Sequence, residues 1–247
     1  MVKLLASLSL TLLISACGES DTVSKASSTG LFGLKKQLSS NASTSDSYAQ
    51  YAPQVQEMYV AYYGRPADPG GLEYWSKRIY EANGKLDEII QDFGNSSEAD
   101  ARFKSLGVEG AVVALYRQLF GREPDSEGFN YYVNGIKEGR FSLVTVSANI
   151  FYGAQSATSD GQMLLNKVTV ANGFTDVLRQ NPSLLEDYAG NQAASVAREF
   201  LESIGPGISD GQLSAAEYEN TFKRLADALS DEEADAAAAI SVTVTSI

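Results

Sequence analysis

Apolar residues along this chain fall mainly into helical stripes. Val55, Met58, Tyr59 and Tyr62 recur at i, i+3, i+4 and i+7, one face of a helix. Leu72, Trp75 and Ile79 mark a second helix; Phe129, Tyr132, Val133 and Ile136 repeat that stripe further on. Third helices follow each, carrying Ile89, Ile90 and Phe93 or Val146, Ile150 and Phe151, with Asp87 and Ser142 placed as caps. Met163, Val170, Phe174 and Val177 then share a face. A turn at Asn181-Pro182 precedes a helix from about Ala193 to Ile204, and "GPGISDGQ" breaks the chain. Ala215 to Leu229 reads as an amphipathic helix with Tyr218, Phe222 and Leu225 inward. Only Ile240 to Val244 alternate with the period of a strand, either a frayed tail or an edge for pairing with another chain. The predicted fold class is all-α.

The pattern is doubled. "YYGRPADPGGLEYW", Tyr62 to Trp75, returns as "LFGREPDSEGFNYY", Leu119 to Tyr132, displaced by 57 residues and matching without gaps from Met58/Leu115 to Ile79/Ile136. Such self-similarity indicates one supersecondary unit used twice. Gly64 and Gly121 fall just past a helix, where a left-handed C′ residue costs glycine nothing. Pro66 and Pro124 block continuation, and Asp68 and Asp125 stand where N-caps belong. Gly71 and Gly128, inside the next helix, point to close approach by the preceding one. Gly84 and Gly139 stop these second helices. The expected architecture is tandem helical repeats of three helices each, about 50–104 and 107–157, packed with C-terminal helices over 160–230 and followed by a tail, 231–247.

The N-terminus changes the picture. "MVKLLASLSLTLLISACGES" has one lysine, an apolar run from Leu4 to Ile14 and small residues up to Cys17, a signal peptide over 1–16. Ile14-Ser15-Ala16-Cys17 resembles a bacterial lipobox, so Cys17, the only cysteine, is the expected lipidation site. Multiple acyl chains hold a protein stably on a bilayer. Gly18, where an aspartate would signal inner-membrane retention, favours the outer membrane by likeness to sorting rules. Residues 17–47, rich in Ser, Thr and Gly with one apolar island at Leu31–Leu38, read as a tether reaching on the order of 30 Å.

Composition excludes several chemistries. The chain has no histidine, which removes Ser-His-Asp and Cys-His catalysis and the commonest zinc ligand. Without residues 1–16 it carries 18 basic against 31 acidic side chains, a net −13 that repels phosphate backbones and argues against nucleic acid as partner. Calcium is an alternative at Asp68, Asp125, Asp160 and Asp210, but "ADPGG" and "SDGQ" lack the dense acidic spacing it needs, and no cofactor is otherwise expected.

The doubled phrase resembles the bacterial domain-of-unknown-function 4214 family, whose members carry Tyr-x-x-x-x-Gly-Arg-x-x-Asp-x-x-Gly-x-x-Tyr-Trp in tandem. "LLNKVTVANGFT", Leu164 to Thr175, is similar to the segment that follows, so the likeness spans roughly 48–180. A weaker likeness runs to phycobilisome linker domains. The resemblance implies a helical module of secreted and surface proteins, including S-layer regions that hold lipopolysaccharide glycan. The second copy departs from it with Tyr132 in place of Trp.

Arg65 and Arg122 are either ion-paired locks for the turn or forks gripping a sugar carboxylate or phosphate. Trp75 and Tyr132 belong to the core stripe, leaving Tyr74 and Tyr131 on the rim to stack on sugar rings or against a neighbour. The leading expectation is a non-catalytic, outer-membrane-anchored binding module for envelope glycan. An assembly lipoprotein with envelope protein partners is the alternative. A polysaccharide hydrolase comes third, since no carboxylate pair stands out from the acidic background.

Overall fold

A computed structural model of the chain describes residues 48–154, 157–188, 190–205, 220–224 and 227. Cys17, the signal peptide, the tether, Asp210, Tyr218, Leu225 and the alternating tail lie outside the described residues. The described residues are helical, and among them there is no strand. The fold is all-α.

The chain enters through a short 3-10 turn into α1, Ala52–Met58, which continues as a π-helical turn, Tyr59–Tyr63. Every residue from Val55 to Gly64 is buried, so this helix is a central rod rather than a one-sided stripe. It is followed by α2 (Pro69–Glu81), α3 (Asp87–Gly94) and α4 (Ser97–Phe103). Two details correct the sequence reading. The 50–104 stretch holds one helix more than expected, because Ser96 Oγ accepts from the Ala99 amide and starts α4. Asp87 does not cap α3: Leu86 is the N-cap without a side-chain bond, and Asp87 sits in the first turn.

Next come α5 (Gly107–Phe120), α6 (Ser126–Lys137) and α7 (Leu143–Gly153). Ser142 caps α7 in a reciprocal arrangement with Thr145. The 22-residue α8 (Ser159–Gln180) then crosses the molecule, with Leu164, Val170, Ala171, Phe174 and Leu178 wholly buried. A short α9 (Pro182–Asp187) and α10 (Gly190–Glu202) close the main part. Residues 220–224 are helical, and Phe222 stacks on Phe174 with ring centroids 4.7 Å apart.

One hydrophobic core runs through all of this, taking residues from both copies of the repeated phrase and from α8 and α10. A buried polar knot ties it together. Gln118 on α5 donates its amide to the Val60 and Ala61 carbonyls, 3.0 and 2.8 Å away, in the π-helical turn. Its own backbone carbonyl accepts from the Lys167 ammonium at 2.5 Å. Burial pushes the Lys167 pKa down to about 8. Buried carbonyls left without such partners would each cost roughly 1–3 kcal/mol.

Candidate functional site

The repeated phrase builds the same turn twice. Gly64 and Gly121 end their helices in the left-handed region, with φ of 65° and 67°. The Asp68 carboxylate then accepts from the Gly71 amide at 2.7 Å, and Asp125 from Gly128 at 2.8 Å, starting the next helix. Gly71 and Gly128 are required by contact: a methyl group on either would overlap the hydroxyl of Tyr59 or Tyr116 from the preceding helix. Tyrosine, two glycines and aspartate therefore form one interlocked unit, with the arginine at its centre.

In the first copy that arginine is enclosed. Arg65 Nε and Nη2 each donate to a Glu98 carboxylate oxygen at 2.8 Å, while Nη1 donates to the Pro66 carbonyl at 3.2 Å and the Tyr188 hydroxyl at 3.3 Å. The guanidinium also lies 5.2 to 5.7 Å from the ring centres of Tyr59, Tyr63 and Tyr188. Burial opposes its charge, but Glu98 and Tyr188 raise its pKa above the usual arginine value. Burial also pushes the Tyr188 hydroxyl up to about 12. Arg65 thus holds the turn to α4 and α9, and its fork is not presented to a ligand.

Arg122 makes the matching pair with Asp160, at 2.9 and 2.6 Å, and donates to the Glu123 carbonyl at 2.9 Å. It leans over Tyr116 and Phe120, at 5.4 and 5.8 Å. Its side chain is 40 % exposed, against 15 % for Arg65. The Asp160 bond raises its pKa. Here the motif opens onto a cleft of 360 Å³ whose walls include Tyr116, Phe120, Arg122, Tyr132, Ile150 and Asp160.

The rim tyrosines are placed alike. Tyr74 and Tyr131 are each 53 % exposed, and each packs edge-on against its inner neighbour, Trp75 or Tyr132. A guanidinium accompanies each ring: Arg78 at 5.9 Å and Arg140 at 5.4 Å. The two come from different places, Arg78 from within α2 and Arg140 from the turn after α6. Of Arg65, Tyr74, Arg122 and Tyr131, Arg122 alone lines the 360 Å³ cleft.

Glu98, Tyr188, Gln118 and Lys167 are the participants that sequence reasoning missed. Glu98 and Asp160 lie 33 and 38 residues beyond their arginines, with no fixed spacing to mark them as partners. A second, apolar cleft of 180 Å³ lies among α3, α4 and α7, lined by Tyr62, Phe103, Leu143 and Val144. Among the described residues no group of three or more acidic or cysteine side chains is arranged to hold a metal, and no helix is long and apolar enough to cross a membrane. No protein-family model, curated protein or solved structure matches this chain.

Proposed function

We propose that this protein is a lipid-anchored, non-catalytic binding module of the bacterial outer membrane that engages envelope glycan. The supporting observation is the matched pair Tyr74 and Tyr131, each half-exposed on its own copy of the motif and steadied by an inner ring and a guanidinium. Rigid tyrosine faces suit sugar rings, offering apolar area for the C–H face and a hydroxyl for the rim. The two motif arginines are committed to carboxylates, so the reading rests on aromatic stacking and hydroxyl recognition rather than on an anion-gripping fork. The chain has no histidine, and Tyr62, Tyr132 and Lys167, whose pKa values burial shifts, are held in packing, so the reading assigns no acid–base turnover.

The deciding experiment is retention of the folded protein by lipopolysaccharide purified from its own host. The Tyr74→Ala/Tyr131→Ala double variant should lose roughly fivefold to 150-fold in affinity, since stacking is worth roughly 0.5–1.5 kcal/mol per ring. Absence of binding by folded wild-type protein, or full binding by the double variant, overturns the reading. Acylation is tested separately: metabolic palmitate labelling should vanish in Cys17→Ser. An assembly role is the second reading, favoured by the apolar cleft beside Leu143, which is 39 % exposed. It predicts a defined co-purifying envelope protein lost on Leu143→Asp.

A further inference from the structure

The two motif copies differ in what fills the space in front of their aromatic rings. In the first copy, Phe93 from α3 occupies it. The Phe93 ring is wholly buried, with centroids 5.3, 5.0 and 5.1 Å from Tyr59, Tyr63 and Trp75, the contact with Tyr63 being a stack inclined by 16°. The residues 57 positions later are Tyr116, Phe120 and Tyr132, and these three rings line the 360 Å³ cleft. Among the described residues lining the cleft, none from α7 is aromatic; Ile150 forms that wall. Phe93 fills the first cage, whereas the smaller, buried Ile150 stands 57 positions later in the second and leaves a cleft beside its rings.

The open cage differs from the closed one in its polar wall. Arg65 is more covered than Arg122, and Arg122 and Asp160 border the cleft. An aromatic side chain entering the second cage would strip water from Asp160 without replacing its hydrogen bonds, a net cost. A ring with hydroxyls at its edge would replace them, and its C–H face would meet Tyr116, Phe120 and Tyr132. The volume falls at the lower end of pockets that hold small ligands. We infer that the cleft between the Arg122–Asp160 pair and the Tyr116/Phe120/Tyr132 cage is a binding site for a single pyranose ring of a glycan chain. This rests on the glycan reading and gives that ligand a terminal or branch sugar seated in one place.

The test uses the full chain, purified host lipopolysaccharide, a panel of methyl pyranosides read by saturation-transfer NMR, and N-acetylphenylalanine amide as the aromatic competitor. Ala154 borders the cleft and is packed against the core, so Ala154→Phe places a ring in the cleft beside Tyr116, Phe120 and Tyr132. Asp160→Asn removes the carboxylate while keeping the shape, and covers the case in which Ala154→Phe fails to fold. At least one pyranoside should give a signal that falls at least tenfold in both variants and is unchanged in Tyr80→Ala. A pyranoside signal indifferent to both variants overturns the inference, as does capture of the aromatic amide with no pyranoside. Lipopolysaccharide binding that survives both variants but is lost in Tyr74→Ala/Tyr131→Ala removes the cleft and leaves the glycan reading standing. Failure of wild-type protein with every sugar probe removes both.

Discussion

The copy of the motif around Arg65 and the copy around Arg122 share a turn and differ in their surroundings. Both have the left-handed glycine, the capping aspartate and the tyrosine hydroxyl resting on a glycine. Around Arg65 the molecule adds Phe93, Glu98 and Tyr188 and seals the site. Around Arg122 it adds Asp160 and, on the cage wall, Ile150, and the aromatic cage faces a cleft. The helix ends differ as well. The first copy's carbonyls at Val60 and Ala61 are served by Gln118, and the Gln118 carbonyl, one motif period later, is served by Lys167. A local motif can therefore be a structural fastener in one place and a candidate site in another. Its own residues do not decide which.

The largest effect expected from that contrast is at Phe93. Phe93→Ala empties the first cage and should destabilise the protein by about 3–5 kcal/mol in urea unfolding. Ala154→Phe, which fills the second, should shift stability by about 1 kcal/mol or less, and comparable losses at both positions would break the distinction. Next, Arg65→Ala removes the bidentate partner of Glu98, which keeps Arg198 at 3.1 Å, and empties the cation site among Tyr59, Tyr63 and Tyr188, for a loss of about 2 kcal/mol. Arg122→Ala, at a more exposed pair, should cost roughly 1 kcal/mol or less.

Lys167 sharpens the comparison through pH. Its native pKa of about 8 lies below the ordinary 10.5. Between those values the unfolded chain binds more protons at this group than the folded one, so stability should rise with pH, by about 1 kcal/mol from pH 8 to 9. Above pH 10 the trend should reverse, because buried tyrosines such as Tyr62 and Tyr132 hold their protons longer when folded. Chemical denaturation at stepped pH checks both limbs, and Lys167→Met should flatten the rising one. A comparable effect falls on the shared element: Gly71→Ala and Gly128→Ala should each cost about 1–2 kcal/mol despite the better helix propensity of alanine. Tyr59→Phe or Tyr116→Phe should restore most of it. Smallest of all, Tyr74→Ala and Tyr131→Ala should move stability by no more than about 0.5 kcal/mol while affecting glycan retention.

The amino-acid sequence by itself determined the elements and their punctuation. Helical periodicity, a glycine past each helix end and an aspartate before the next are local, encoded within a turn or two of the residue concerned. They specified an all-α chain and the inward side of α2, α6 and α8. Local signals also misled where two starts competed: Asp87 has the chemistry of a cap, yet α3 begins one residue earlier, and the Ser96 cap that adds α4 was overlooked. Tertiary structure alone decided the fate of the arginines and the aromatic cages. Glu98, Tyr188 and Asp160 reach them from helices that arrive by packing, 33 to 123 residues away in the chain. Whether a ring cage closes over Phe93 or stays open beside Ile150 depends on which side chain a distant helix delivers there. The 57-residue offset pairs Phe93 with Ile150, but nothing local to either shows that it meets the motif's rings.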